Sequence, residues 1–259
     1  MDKFIRTVPG HTVLLNACEN LETQWLTPLR SYFSESNTHN IRTVGPMFPN
    51  THIRTVGPLF PKSAPAPTDS VLQDWLSRQD PASVVYVSMG STAQADLPAS
   101  ALLALHDALD GYKYIWSLAP RCRALLESAL DGSVLESSPD RLILDWAPQR
   151  WLLLQPAVAA FITHAGWGSV MEAVAAGVPC IAMPRFSDQT VNAALTETLG
   201  TGMVIPGTLL AGENAESLTG GDFKSALAFA FDPQTRATAE KVAKQAWNNI
   251  EIPVTIKSI

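Results

Sequence analysis

Three short stretches of this sequence combine residue types and spacings able to do chemistry. Ser88-Met89-Gly90-Ser91-Thr92 continues the apolar run VVYVS. A small-residue turn at that place points backbone N–H groups at a phosphate, with a hydroxyl as an extra donor. It serves equally well as a tight turn whose Ser or Thr caps the next helix. In Phe161-Ile162-Thr163-His164-Ala165-Gly166-Trp167-Gly168-Ser169, the two glycines let backbone approach a ligand closely. The helix expected from Ser169 onward offers free N–H groups and a positive dipole end. His164, where the strand stops, can donate to a phosphate oxygen or stand as a satisfied structural histidine. Pro184-Arg185-Phe186-Ser187-Asp188-Gln189 sets a carboxylate beside an amide at another strand end. That pair suits the adjacent hydroxyls of a sugar, and Asp188 also suits the cap of the following helix.

Other chemistries fit less well. Gly166-x-Gly168-x-x-Met171 resembles a dinucleotide fingerprint, with Asp188 about twenty residues on. Met171, however, stands where close helix–strand packing needs Gly or Ala, and Asp188 lies several residues past its strand. No G-x-S-x-G elbow or Walker A stretch occurs, which removes the serine-hydrolase and P-loop readings. No metal-ligand cluster is seen. The chain has 18 Lys and Arg against 24 Asp and Glu, a net charge of −6, and no basic run to track a phosphate backbone. Nucleic acid and anionic membranes are therefore poor partners. Cys18, Cys122 and Cys180 are isolated, as expected of reduced thiols in an intracellular protein. The N-terminus has no apolar signal region, and no uncharged stretch of about 18 residues is apolar enough to span a bilayer. A soluble, cytoplasmic protein is expected.

The elements that must position these turns follow from periodicity. Hydrophobic residues make up 46% and charged residues 16% of the 259, a globular composition. Strands are expected at 13–16, 84–88, 112–118, 142–146, 159–163, 178–183 and 203–205. Helices are expected at 19–33, 97–109, 121–130, 150–154, 169–176, 190–199, 223–231 and 234–248. Apolar runs of five or six alternating with helices indicate an α/β, doubly wound parallel sheet, which binds ligands at the carboxyl ends of its strands. Before this regular region, IRTVGPMFP at 41–49 returns as IRTVGPLFP at 53–61, identical at eight of nine positions. One such step is too solitary for a solenoid and reads as a local duplication. Six prolines between Pro46 and Pro67 stiffen an extended linker there. The expected organisation is 1–40, an N-terminal segment; 41–69, a linker; 70–250, the doubly wound domain; and 251–259, a tail.

From Trp146 to Gln189 the chain runs WAPQRWLLLQPAVAAFITHAGWGSVMEAVAAGVPCIAMPRFSDQ, 44 residues. This resembles, without a gap, the nucleotide-sugar signature of the plant-type family 1 UDP-glycosyltransferases. VLLNACENLE, VGPLFP, DWLSRQ and VYVSMGS resemble the same family, so the likeness runs from about residue 10 to about 247. It implies a GT-B architecture, of which this chain would hold the C-terminal, donor-binding half with most of the N-terminal acceptor domain missing. It implies an inverting transfer of a hexosyl group from a UDP-sugar to a hydroxyl of a small-molecule acceptor. Trp146 would stack on uracil, and the Ala147 backbone would bond its edge. Gln149 and Glu172 would take the ribose hydroxyls. His164, Ser169, the Gly168 backbone and Ser91 would hold the diphosphate, with Gly90, Gly166 and Trp167 completing the turns. Asp188 and Gln189 would hold the sugar; the terminal Gln favours UDP-glucose. The donor is a substrate, so no cofactor is implied.

Two positions depart from the family pattern. Gly168 replaces an Asn, removing a side-chain donor, and Gln155 replaces a His in what is expected to be a structural role. The catalytic base belongs to the acceptor domain, and His11 lacks a matching context. The resemblance thus implies a fragment, a gene-model artefact, or a subunit needing an acceptor-domain partner chain, with a non-catalytic UDP-sugar-binding module as the alternative.

Overall fold

The computed structural model describes residues 12–14, 40–42, 60–68, 70–90, 97–130, 135–185, 187–205 and 218–248. The chain divides into two compact units, Met1–Pro61 with Ala243–Ile259, and Lys62–Val242. In the first, β1 (Thr12–Leu14) pairs in parallel with β2 (Asn40–Arg42). The helix expected at 19–33, the tail and nearly all of the duplicated segment lie outside the described residues.

The second unit is built on a six-stranded, wholly parallel sheet. Its strands are β3 (Val84–Ser88), β4 (Lys113–Ser117), β5 (Arg141–Leu144), β6 (Val158–Thr163), β7 (Cys180–Ala182) and β8 (Gly202–Val204). Their spatial order is β5-β4-β3-β6-β7-β8. Numbered from β3, this is the 3-2-1-4-5-6 order of a dinucleotide-type fold, with its reversal between β3 and β6. The doubly wound reading of the sequence is thereby met.

Every residue of β3 and β6 is buried, so their apolar runs serve both faces. Val85, Val87, Trp116 and Ile162 face one core, closed by α2 (Ala99–Ala108), α3 (Pro120–Ala129) and α7 (Gly220–Phe231). Val84, Tyr86, Ile115 and Phe161 face the other, closed by α1 (Ser70–Leu76), α4 (Gln149–Leu153) and α5 (Trp167–Ala176). Tyr86 and Phe161, register partners on adjacent strands, stack 4.9 Å apart with their planes 6° from parallel. After α6 (Gln189–Thr198), which packs on β8, and after α7, the chain continues into α8 (Pro233–Asn248).

Two differences from the expected elements matter to the site. The helix after β6 starts at Trp167, two residues before Ser169, with Gly166 at its N-cap. Trp167 and Gly168 therefore belong to its first turn. Helix α1 is an additional element; Leu72, Trp75 and Leu76 carry a helical i, i+3, i+4 spacing, but seven residues give periodicity too few turns to stand out. Cys122 and Cys180 are buried, and burial pushes the Cys180 thiol up to about 12. No described helix is long and apolar enough to cross a membrane.

Candidate functional site

Strands β3, β4 and β6 each end in a hydroxyl: Ser88 pairs in register with Ser117 on one side and Thr163 on the other. All three are buried, which sets a polar row beneath the point where the strand order reverses. Above it opens a cleft of about 640 Å³. Gly90, Trp146, Ala147, Gln149, Ser169 and Glu172, all expected from the sequence, line it together. Tyr86, Ser88, Ser117, Asp145, Arg150, Trp151 and the linker residues Ala64 and Pro65 also line it. Ser88 opens the first of the three stretches singled out in the sequence, whereas Ser117 falls inside the strand expected at 112–118 and carries no separate signal; the others depend on tertiary placement.

Trp146 follows β5 and leaves 74% of its surface exposed, the most exposed large apolar side chain among the described residues. Indoles are seldom left so bare without a ligand or partner to cover them. Ala147 beside it is buried. Across the cleft, Gln149 Nε2 donates to Glu172 Oε2 at 2.8 Å and to Ser169 Oγ at 3.1 Å. The Tyr86 phenol bonds to Ser88 and is held far above the tyrosine range by burial, with the Glu172 charge adding to the effect. It stays a neutral hydroxyl.

His164 does not itself line the cleft; it lies beneath the turns that do. Its ring is wedged between two glycines: a Cβ on Gly90 would sit 2.6 Å from His164 Cε1, and one on Gly166 2.5 Å from Nε2. Gly90 is also left-handed, at φ +70°. Burial lowers the His164 pKa below the ordinary histidine value, against an opposing pull from Asp188. A neutral imidazole keeps one N–H to donate. Between His164 and Gly166, Ala165 adopts φ +60°, a conformation costly for any residue with a Cβ. Asn192 Nδ2 holds its carbonyl at 3.1 Å.

The third turn is anchored to the second. Asn192 Nδ2 also donates to Asp188 Oδ2 at 3.0 Å. Asp188 occupies the N-cap position of α6 but makes no side-chain cap bond, so capping does not account for its carboxylate. Gln189 is only 4% exposed, and its Oε1 accepts the Arg185 backbone N–H at 2.8 Å. Neither residue lines the cleft; they stand at the adjoining β7–α6 junction. Gly168 is exposed, with open space where a Cβ would be. Gln155 Nε2 donates to the Trp151 carbonyl at 2.8 Å, a structural bond. Ser91 lies outside the described residues. Among the described residues, no three of His, Cys, Asp and Glu gather where they could hold a metal ion.

Residues 44–228 match the model of the UDP-glucoronosyl and UDP-glucosyl transferases. The chain belongs to that family. It is 34% identical over 194 residues to UDP-glycosyltransferase 76H1 of Stevia rebaudiana, covering 71% of this chain and 42% of that one. To anthocyanidin 3-O-glucosyltransferase 7 of Manihot esculenta it is 33% identical over 187 residues, covering 71% of this chain and 58% of the relative. The chain thus spans about half the length of these family members. In fold it resembles a UGT transferase from Siraitia grosvenorii crystallised with UDP, at a TM-score of 0.75 and 22% identity, covering 97% of this chain and 58% of that one. The sheet is the C-terminal Rossmann-like domain of the GT-B architecture found in this transferase family.

Proposed function

We propose that the cleft binds a UDP-sugar, and that the chain carries the donor half of an inverting glycosyl transfer to a hydroxyl of a small-molecule acceptor. The observation that carries this reading is a convergence at the reversal of strand order. An exposed indole, an amide–carboxylate pair and the first turn of a ten-residue helix meet around one cleft. Uracil stacks on Trp146, with the Ala147 backbone at its edge. Gln149 and Glu172 take the ribose diol. The diphosphate lies at the N-terminus of α5 and meets Gly166, Trp167, Gly168 and Ser169, with Gly90 and His164 beside it and the Ser91 hydroxyl expected as a further donor. As the bond to the sugar breaks, charge grows on the UDP leaving group, and these fixed N–H donors stabilise it. Asp188 and Gln189 hold the sugar, with glucose the favoured donor. No separate cofactor enters the reaction. The acidic, cysteine-poor chain fits the cytoplasm.

The general base is left to an acceptor domain, in the same or a partner chain. The cleft's two described carboxylates are both engaged: Asp145 with Arg123 at 3.3 Å and Glu172 with Gln149. The 259-residue chain is therefore expected to bind UDP yet release almost none from UDP-glucose offered with phenolic acceptors. Loss of a general base alone lowers such rates by about 10²–10⁴-fold. Robust glycoside formation would place a base within this chain.

A further inference from the structure

Ser169 and Glu172 lie three residues apart on α5, and that spacing puts both side chains on one face of the helix. Gln149, at the start of α4, meets them there through a single nitrogen, 2.8 Å from the carboxylate and 3.1 Å from the hydroxyl. A carboxylate only accepts, so the shorter contact decides which way the amide faces: its NH₂ toward Glu172, its carbonyl away. The second amide proton is then directed at Ser169 Oγ. A serine hydroxyl has one proton of its own, and one that already accepts from Gln149 must point that proton elsewhere.

We propose that Gln149 is a positioning residue for the diphosphate, which it does not touch: oriented by Glu172, its amide presets the Ser169 hydroxyl as a donor toward a phosphate oxygen. The inference rests on the UDP-sugar reading and deepens it, since a residue otherwise assigned to ribose also organises the phosphate side. Without the amide, the Ser169 hydroxyl is free to turn back and donate to the carbonyl one helical turn before it. A donor fixed in advance avoids that competition.

The test is calorimetry on the full chain with uridine and with UDP. The quantity read is the ratio of the two affinities, which isolates the gain from the diphosphate. Gln149→Met keeps length and shape but makes no hydrogen bond, and should lower the ratio roughly tenfold, as expected for losing one good bond to a charged group. Ser169→Ala should lower it by a similar factor, and Gln149→Met with Ser169→Ala no further than Ser169→Ala alone. A role for Gln149 confined to ribose would weaken both ligands equally and leave the ratio unmoved. Should Gln149→Met fail to fold, Gln149→Asn, too short to reach Ser169, carries the same expectation. An unmoved ratio, or independent losses that multiply in the double variant, would overturn the positioning role while UDP binding stands. A wild-type chain that binds neither uridine nor UDP would overturn the nucleotide reading as well.

Discussion

His164 occupies a slot that exists because two residues have no side chain. Gly90 and Gly166 press on its ring from turns belonging to different strands, so a methyl group at either must displace the imidazole. Gly90→Ala adds the cost of a left-handed backbone, and each substitution should destabilise the fold by about 1–3 kcal/mol. Gly168, two residues along, is the internal control. Its Cβ direction is open, and Gly168→Ala should gain about 0.4–1 kcal/mol by restricting the unfolded chain. Urea denaturation of the three variants checks the contrast; equal effects at all three positions would contradict it. The same burial gives His164 a pH signature. Its folded-state pKa lies below the ordinary 6.5, so in acid the unfolded chain binds a proton that the folded chain refuses. The stability involved is complete above about pH 6.5 and falls as pH drops toward the lower folded-state value. Thermal unfolding between about pH 8 and pH 5 should show a shallower acid loss in His164→Asn than in the wild type. An identical slope would locate the acid sensitivity in other groups.

At the scale of elements, the site depends on junctions between strand and helix, and Asn192 is the tie between two of them. From inside α6 its amide holds the Ala165 carbonyl after β6 and the Asp188 carboxylate after β7. Asn192→Ala leaves a buried carbonyl without that donor, at about 1–3 kcal/mol in stability. It also releases Asp188, so affinity for UDP-glucose should fall more than affinity for UDP. A variant of wild-type stability with unaltered preference would show that the junctions hold without it. The strands themselves were legible because a sheet buried on both faces leaves unbroken apolar runs, and 84–88 was read to the residue. The junctions were less so. Ser169 marks the polar signal for α5, but Gly166 sets its start through an extended backbone that no side-chain type announces. Tyr86 was hidden for a related reason. Whether a strand residue joins the core or a cleft depends on how neighbouring strands and helices stop, and its aromatic ring fits either.

Across the whole molecule, the cleft draws on residues from Ala64 to Glu172, yet all belong to the unit Lys62–Val242. Two hydrogen bonds pin the proline-rich segment that supplies one wall: Arg150 to the Ser63 carbonyl and Gln73 to the Pro67 carbonyl. Composition marked that segment as a linker, but nothing in it signalled that two of its residues border the cleft, because their contacts are made to helices later in the chain. Of the 44-residue signature, Trp146, Ala147, Gln149, Ser169 and Glu172 line the cleft, whereas His164, Asp188 and Gln189 do not, and the Gln189 amide oxygen accepts the Arg185 backbone N–H. Nucleotide binding within this one unit is the claim on which the rest depends. Calorimetric titration of UDP into the 259-residue chain, repeated with Trp146→Ala, tests it most directly. Saturable 1:1 binding is expected, weakened by roughly 1–3 kcal/mol when the indole that stacks the base is removed. No saturable heat in the wild type, or equal affinity in the variant, would contradict it.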